Sequence, residues 1–154
     1  MHIKKIDNVK LFSGIMFFDE SLLKNAVDYL KKLYGNIDYT SEEYSFDFTD
    51  YYTDEMGRGL RKVFVSFKKL IKREKLAEIK LKTNALEDKL SKKGKRSVNI
   101  DPGYLTLHNV VLASAKEMPH RIYIWKGIFG DVVLEYKRGK GYADSCHTFP
   151  DFKS

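Results

Sequence analysis

Four groups of polar residues in this chain are of the types that bind phosphate or move protons. The first is Asp50 and Glu55, within Thr49-Asp50-Tyr51-Tyr52 and Glu55-Met56-Gly57. Both could hold a hard cation such as Mg²⁺, which takes one or two protein carboxylates and fills its shell with water and phosphate oxygens. The same acids could instead pair with Arg61 or Lys80, or cap a local turn. The second group is Lys80, Thr83, Asn84 and Glu87, whose spacing sets them along one side of a helix. There Lys80 could neutralise a phosphate and Asn84 read a base or carboxamide, or all four could form a solvated flank.

The third group is Asn99 with Asp101-Pro102-Gly103. Asp101 is expected at a strand end, where a turn exposes its carboxylate as a general base or metal ligand. Asp is equally common as the first residue of a turn, bonding its own backbone. The fourth is His120-Arg121. His120 can exchange protons near neutrality, Arg121 can grip a phosphate or carboxylate with two parallel bonds, and a structural histidine is the alternative. Asp131 and Glu135 are expected on one strand face with Val133, but roughly 13 Å apart by strand rise, too far to work as a dyad. His147 and Asp151 could close the site.

The elements that must position these groups follow from periodicity. Val9 to Phe18 is an almost unbroken apolar run and reads as a buried strand. Asp19 suits an N-cap. Leu22, Leu23, Ala26, Val27, Leu30 and Leu33 repeat at helical spacing, and Gly35 suits the stop. Tyr44, Phe46 and Phe48 alternate with polar residues, as do Val63 and Val65 with Lys62, Phe64 and Ser66, giving a pair of strands. Leu76, Ile79, Thr83, Leu86 and Leu90 mark a second helix over roughly Arg73 to Lys92. Val98 and Ile100 begin a strand that is expected to end in a type II turn at Asp101-Pro102-Gly103. The run from Asn109 to Lys116 fits a strand or a short helix. Further strands follow at His120–Trp125, where Ile122 and Ile124 are expected to face the core and Tyr123 to share the other face with Arg121 and Trp125, at Ile128–Tyr136, and after Gly141.

The order is βαββαβ with a β-rich tail. It predicts an α+β fold: an antiparallel sheet with two helices on one face, a ferredoxin-like βαββαβ core plus a C-terminal β-rich extension, in a single domain over 1–154. A length of 154 residues with 43% apolar content supports one sizeable core. The one cysteine, Cys146, forbids an internal disulfide and fits a reducing compartment. No apolar run is long enough for a membrane helix and no signal-peptide stretch opens the chain, so a cytoplasmic location is expected. Net charge is +7, with fifteen Lys and Arg against four acids from Arg58 to Arg96, beside six acids and no base from Glu42 to Glu55. A basic block of this kind suits a polyanionic partner or a solvated surface. No GxxxxGK[ST] or strand-borne GxGxxG occurs, which removes the P-loop and the dinucleotide fingerprint. Scattered His and a single Cys argue against structural zinc.

Several stretches resemble a bacterial family known as domain of unknown function 4416. They include Phe46-Asp47-Phe48-Thr49-Asp50-Tyr51-Tyr52, Glu55-Met56-Gly57 and Ile79-Lys80-Leu81-Lys82-Thr83-Asn84. The most specific are Val98-Asn99-Ile100-Asp101-Pro102-Gly103-Tyr104 and His120-Arg121-Ile122-Tyr123. The resemblance keeps motif order along nearly the whole chain. His147 stands where the family tends to have Trp before its Thr-Tyr-Pro-Asp-Tyr-like motif. The resemblance implies no settled activity, and some members carry a loose GTP-binding label.

Three functions are therefore expected to compete. The preferred one is a polar cleft for a small phosphorylated or nucleotide-like ligand, with Mg²⁺ as an optional cofactor. Its ligand-binding residues would be Glu55, Arg61, Lys80, Asn84 and Arg121. Asp50, Asp101 and His120 would be the candidates for catalysis, and Asp50 and Glu55 for the metal. Whether the protein is an enzyme is left open. The second is an RNA-binding module that stacks bases on a sheet. The third is a non-catalytic interaction or regulatory protein, such as a homodimer joined through a free sheet edge.

Overall fold

The computed structural model describes residues 1–45, 59–91 and 97–144. They form an α+β fold with a large antiparallel sheet and two helices. The strands are β1 (Lys10–Phe17), β2 (Ile37–Thr40), β3 (Tyr44–Ser45), β4 (Arg61–Phe67), β5 (Val98–Leu105), β6 (Asn109–Ser114), β7 (Arg121–Trp125), β8 (Ile128–Lys137) and β9 (Gly141–Ala143). The helices are α1 (Glu20–Tyr34) and α2 (Leu76–Leu90), the latter entered through a 3₁₀ turn at Arg73–Lys75. The strands run β2-β4-β1-β5-β6-β8-β7, with β3 also on β4 and β9 also on β8. Among the described residues no helix is long and apolar enough to cross a membrane.

α1 forms where its caps place it. The Asp19 carboxylate accepts from the Ser21 backbone N–H at 2.8 Å, and Gly35 ends the helix at φ +91° while its N–H bonds Lys31 O. Leu22, Ala26 and Leu30 are buried on one stripe. They meet Leu11, Ile15 and Phe17 of β1, Val63, Val65 and Phe67 of β4, Val98 and Ile100 of β5, and Ile79 and Leu86 of α2 in one cluster. Both helices therefore cover the same face of the sheet. The opposite face is closed as well: Phe12 of β1 packs with Val110 and Leu112 of β6 and Val133 of β8, with Phe64 against them.

Tyr34 ends α1 edge-on to Phe67, ring centroids 6.0 Å apart. Its hydroxyl is buried without a hydrogen-bond partner among the described residues, and burial pushes its pKa up to about 12. A phenol stripped of water in this way gains nothing from its oxygen. Tyr34→Phe is expected to leave the urea midpoint unchanged or raise stability by up to about 1 kcal/mol; a clear loss would show that the hydroxyl is solvated.

The structure departs from the sequence expectation in particular places. β2 is a short polar edge strand (Ile-Asp-Tyr-Thr) that alternation does not reveal. Asn109–Ser114 is a strand. The expected strand over Tyr44–Phe48 is seen at Tyr44–Ser45, and Phe46 and Phe48 lie outside the described residues. The expected turn at Asp101-Pro102-Gly103 is absent, because β5 runs straight through it with Pro102 opposite Ser13 and Gly103 opposite Phe12 on β1. β5 pairs with β6 only at Gly103–Leu105. At Pro102 the strand has no β6 partner, so its missing N–H costs no rung on that side. Gly103 is required by space instead of by a positive φ: a Cβ there would sit 2.4 Å from Val111 O and 2.7 Å from the Phe12 ring.

Candidate functional site

Where β5 and β6 part, the edge of β5 is closed by side chains from α2. The Glu87 carboxylate accepts from the Ile100 backbone N–H at 3.4 Å, and Lys80 Nζ donates to Ile100 O at 3.5 Å. Thr83, between them, bonds Lys80 O at 3.0 Å. Lys80, Thr83 and Glu87 are 6%, 1% and 3% exposed, so this side of the helix is a buried polar seam and not a solvated flank. Asn84 is half-buried beside it.

From that seam Lys80 Nζ reaches Asp101 Oδ1 at 3.3 Å. Asn99, two residues along the same strand face, donates Nδ2 to Asp101 Oδ2 at 2.8 Å. The face they share is the one away from the helices, since Asp101 opposes Gly14 and Asn99 opposes Met16. A second lysine lies on this face. Lys62 of β4 opposes Met16 and is 4% exposed. A Cβ at Gly14 would stand 2.9 Å from its Cε and 3.4 Å from its Nζ. Glycine at 14 thus lets Lys62 lie along β1 toward Asp101, and its ammonium also lies 5.0 Å from the Phe64 ring. Burial alone would raise the Asp101 carboxyl. The Lys80 and Lys62 charges and the bonds from Lys80 and Asn99 outweigh that and hold it below the usual carboxylate range. The result is an ionised carboxylate flanked by two ammoniums, with the Asp101 side chain 23% exposed as the opening to solvent.

A second cluster is built on β6, β7 and β8. Asp131 is fully buried and opposes both Leu112 and Arg121. Its Oδ2 accepts from Arg121 Nε at 3.1 Å and lies 3.4 Å from His120 Nε2. Arg121 Nη1 donates to Ser114 Oγ at 2.8 Å and to Lys116 O at 2.9 Å. The guanidinium grips an internal carboxylate and ties three strands together.

The sequence-predicted residues therefore divide. Lys80 and Asp101 meet. Arg121 and His120 meet at Asp131. Arg61, on the helix-covered face, is held by Glu20 at 2.8 Å and Glu43 at 3.1 Å over the Phe17 ring, and it joins neither cluster. Asp50, Glu55, Cys146, His147 and Asp151 lie outside the described residues. Among the described residues no group of three or more His, Cys, Asp or Glu is placed to hold a metal ion.

Two expectations of facing are corrected by β-bulges. The β6–β8 register shifts between Val110 and Val111, so Asp131 and Glu135 do not share a face despite their even spacing. The β7–β8 register shifts between Tyr123 and Trp125, which sets Trp125 opposite Ile128 and away from Tyr123. Ile122, expected in the core, is 74% exposed. Lys62 escaped notice because its own alternation marks it as the outward residue of a strand, and only the closed second face makes it buried. The detectable signal was a lysine opposite a glycine-bearing apolar strand.

No curated protein matches the chain, and no solved structure does. The family described as Domain of unknown function (DUF4416) matches over residues 7–154, nearly the whole chain, and the protein belongs to that family.

Proposed function

We propose that the chain binds a small phosphorylated or nucleotide-like ligand over the Lys62–Asp101–Lys80 row. The observation that carries this reading is two lysines, 4% and 6% exposed, converging on a carboxylate whose side chain is 23% exposed. Withdrawing an ammonium from water costs several kcal/mol. Two of them beside one opening form a fixed positive field that a phosphate can enter, and lysine binds phosphate as a point charge. Asp101 would orient the ammoniums and accept from a ligand hydroxyl or amine. Held ionised and low, it is a weak base, so the arrangement favours binding over proton transfer.

Mg²⁺ belongs to this reading only through Asp50 and Glu55. At Asp101 a dication would be repelled by Lys62 and Lys80, so a metal would arrive with the phosphate and take other carboxylates. The antiparallel order β2-β4-β1-β5, with α1 after β1 and α2 before β5, supports a ferredoxin-like core extended by β6–β9. The single cysteine supports a cytoplasmic location.

The RNA alternative has one observation in its favour. Tyr123 and Trp125 of β7 are 58% and 51% exposed, and Lys126 Nζ lies 4.3 Å from the Trp125 ring. Against it, the sheet face that would stack bases is occupied by its own apolar cluster.

The test is a thermal-shift panel of nucleotides, sugar phosphates and pyrophosphate, each with and without Mg²⁺. A ligand at a hundred times its dissociation constant adds about 2.7 kcal/mol, a shift of roughly 5–10 °C for this size. The shift is expected to vanish in Lys62→Met. No shift with any phosphorylated compound, or one that survives Lys62→Met unchanged, refutes the proposal.

A further inference from the structure

The two edges of the sheet are not alike. β2, at one edge, has four residues, a register shift between Ile37 and Tyr39, and a charged residue, Asp38, bonded to Lys10 and Ser66. Short length and a charged side chain within the strand are devices that stop an edge from pairing with another chain. β7, at the opposite edge among the described strands, is Arg-Ile-Tyr-Ile-Trp. It has its own register shift, between Tyr123 and Trp125, but no proline and no charge between Arg121 and Lys126, whose Nζ lies 4.3 Å from the Trp125 ring. Ile122, Tyr123 and Trp125 are 74%, 58% and 51% exposed. Tyr123 is braced edge-on against Phe129, centroids 5.3 Å apart, so the patch is held in place.

We propose that β7 is the interface of a homodimer, formed by antiparallel pairing with the β7 of a second copy about a two-fold axis at Tyr123. Such pairing sets Ile122 of one copy against Ile124 of the other and Tyr123 against its equivalent. A two-fold interface must be self-complementary. The three exposed side chains carry no charge, whereas much of the remaining surface of a +7 chain would repel its copy. Those side chains expose roughly 400 Å² per copy over both sheet faces, so with the strand backbones the pair buries at most on the order of 1,000 Å², the lower limit for a specific interface. The dimer is accordingly weak and concentration-dependent. Salt screens the repulsion between like-charged copies and is expected to strengthen it, opposite to its effect on RNA binding.

Sedimentation equilibrium on the whole protein, from micromolar to millimolar, tests this. The mass is expected to rise from 18.0 kDa toward twice that value, more readily in high salt. Ile122→Lys sets an ammonium against Ile124 of the other copy and brings the two new lysines diagonally across the axis, and is expected to weaken association by about tenfold or more; because Ile122 is exposed, the monomer stays folded. Leu107→Lys, at an 85% exposed apolar residue outside β7, is the control and should associate as the parent does. A mass of 18.0 kDa at every concentration overturns the proposal and leaves β7 to a different partner. Association unchanged by Ile122→Lys also overturns it, by placing the interface elsewhere.

Discussion

Gly103→Ala is expected to destabilise the protein by about 3 kcal/mol or more, near the upper end for overpacking. The new Cβ would stand 2.4 Å from Val111 O and 2.7 Å from the Phe12 ring. The first neighbour is backbone of the strand that pairs with β5 exactly there, so it cannot step aside without breaking the β5–β6 junction. The second is 6% exposed within the apolar cluster that closes the helix-free face. Moving either disturbs the split in the sheet that admits Lys80. Urea unfolding of the variant should show a midpoint lowered at unchanged slope. A midpoint within error of the parent would mean that the close approach of β6 to Gly103 is wrong.

Lys80→Met should cost about 2–3 kcal/mol at neutral pH. Breaking a fully buried ion pair costs about 3–5 kcal/mol. Here Asp101 retains some exposure and the Lys62 charge, which moderates the loss. Lys80 also loses its bond to Ile100 O at the open edge. Combining Lys80→Met with Asp101→Asn should cost less than the sum of the two single changes, because the second removes the stranded charge. Additive losses would show that the pair is not coupled. The same pair makes an acid-sensitive contribution. The carboxyl of folded Asp101 is depressed, so its stabilisation is complete above the ordinary aspartate range near pH ~4 and disappears as pH falls through the lower folded value. Lys80→Met should flatten that part of the stability profile.

How far the sequence could be read depends on how local each feature is. α1 was legible to its ends, since Asp19, the apolar stripe and Gly35 each act within one or two helical turns. The apolar run of β1 marked a strand buried on both faces, and six of the seven residues from Leu11 to Phe17 are apolar or glycine. Asp-Pro-Gly misled for the same reason. Read alone it is a turn, yet its conformation is settled by Ser13 and Phe12 on one side and a vacant β6 position on the other.

The polar residues show the division most clearly. Helical spacing placed Lys80, Thr83 and Glu87 on one side of α2, and that line is the buried seam. Spacing had no means of showing that a sheet edge would lie open opposite them. Arg61 and Lys62 are adjacent, and the pleat sends one to Glu20 and Glu43 and the other across Gly14 toward Asp101. Two bulges reversed the facing of Glu135 and Trp125 relative to simple alternation.

Residue order was enough to establish an α+β fold, both helices, the basic and acidic blocks and the family motifs, because caps, periodicity and composition act over a few residues. Tertiary structure alone decided that Lys62 and Lys80 share Asp101, that Arg121 is held by Asp131, and that Ile122, Tyr123 and Trp125 of β7 are exposed. Those outcomes depend on register, on bulges and on where β5 leaves β6, which are relations between strands far apart in the chain that no local pattern encodes.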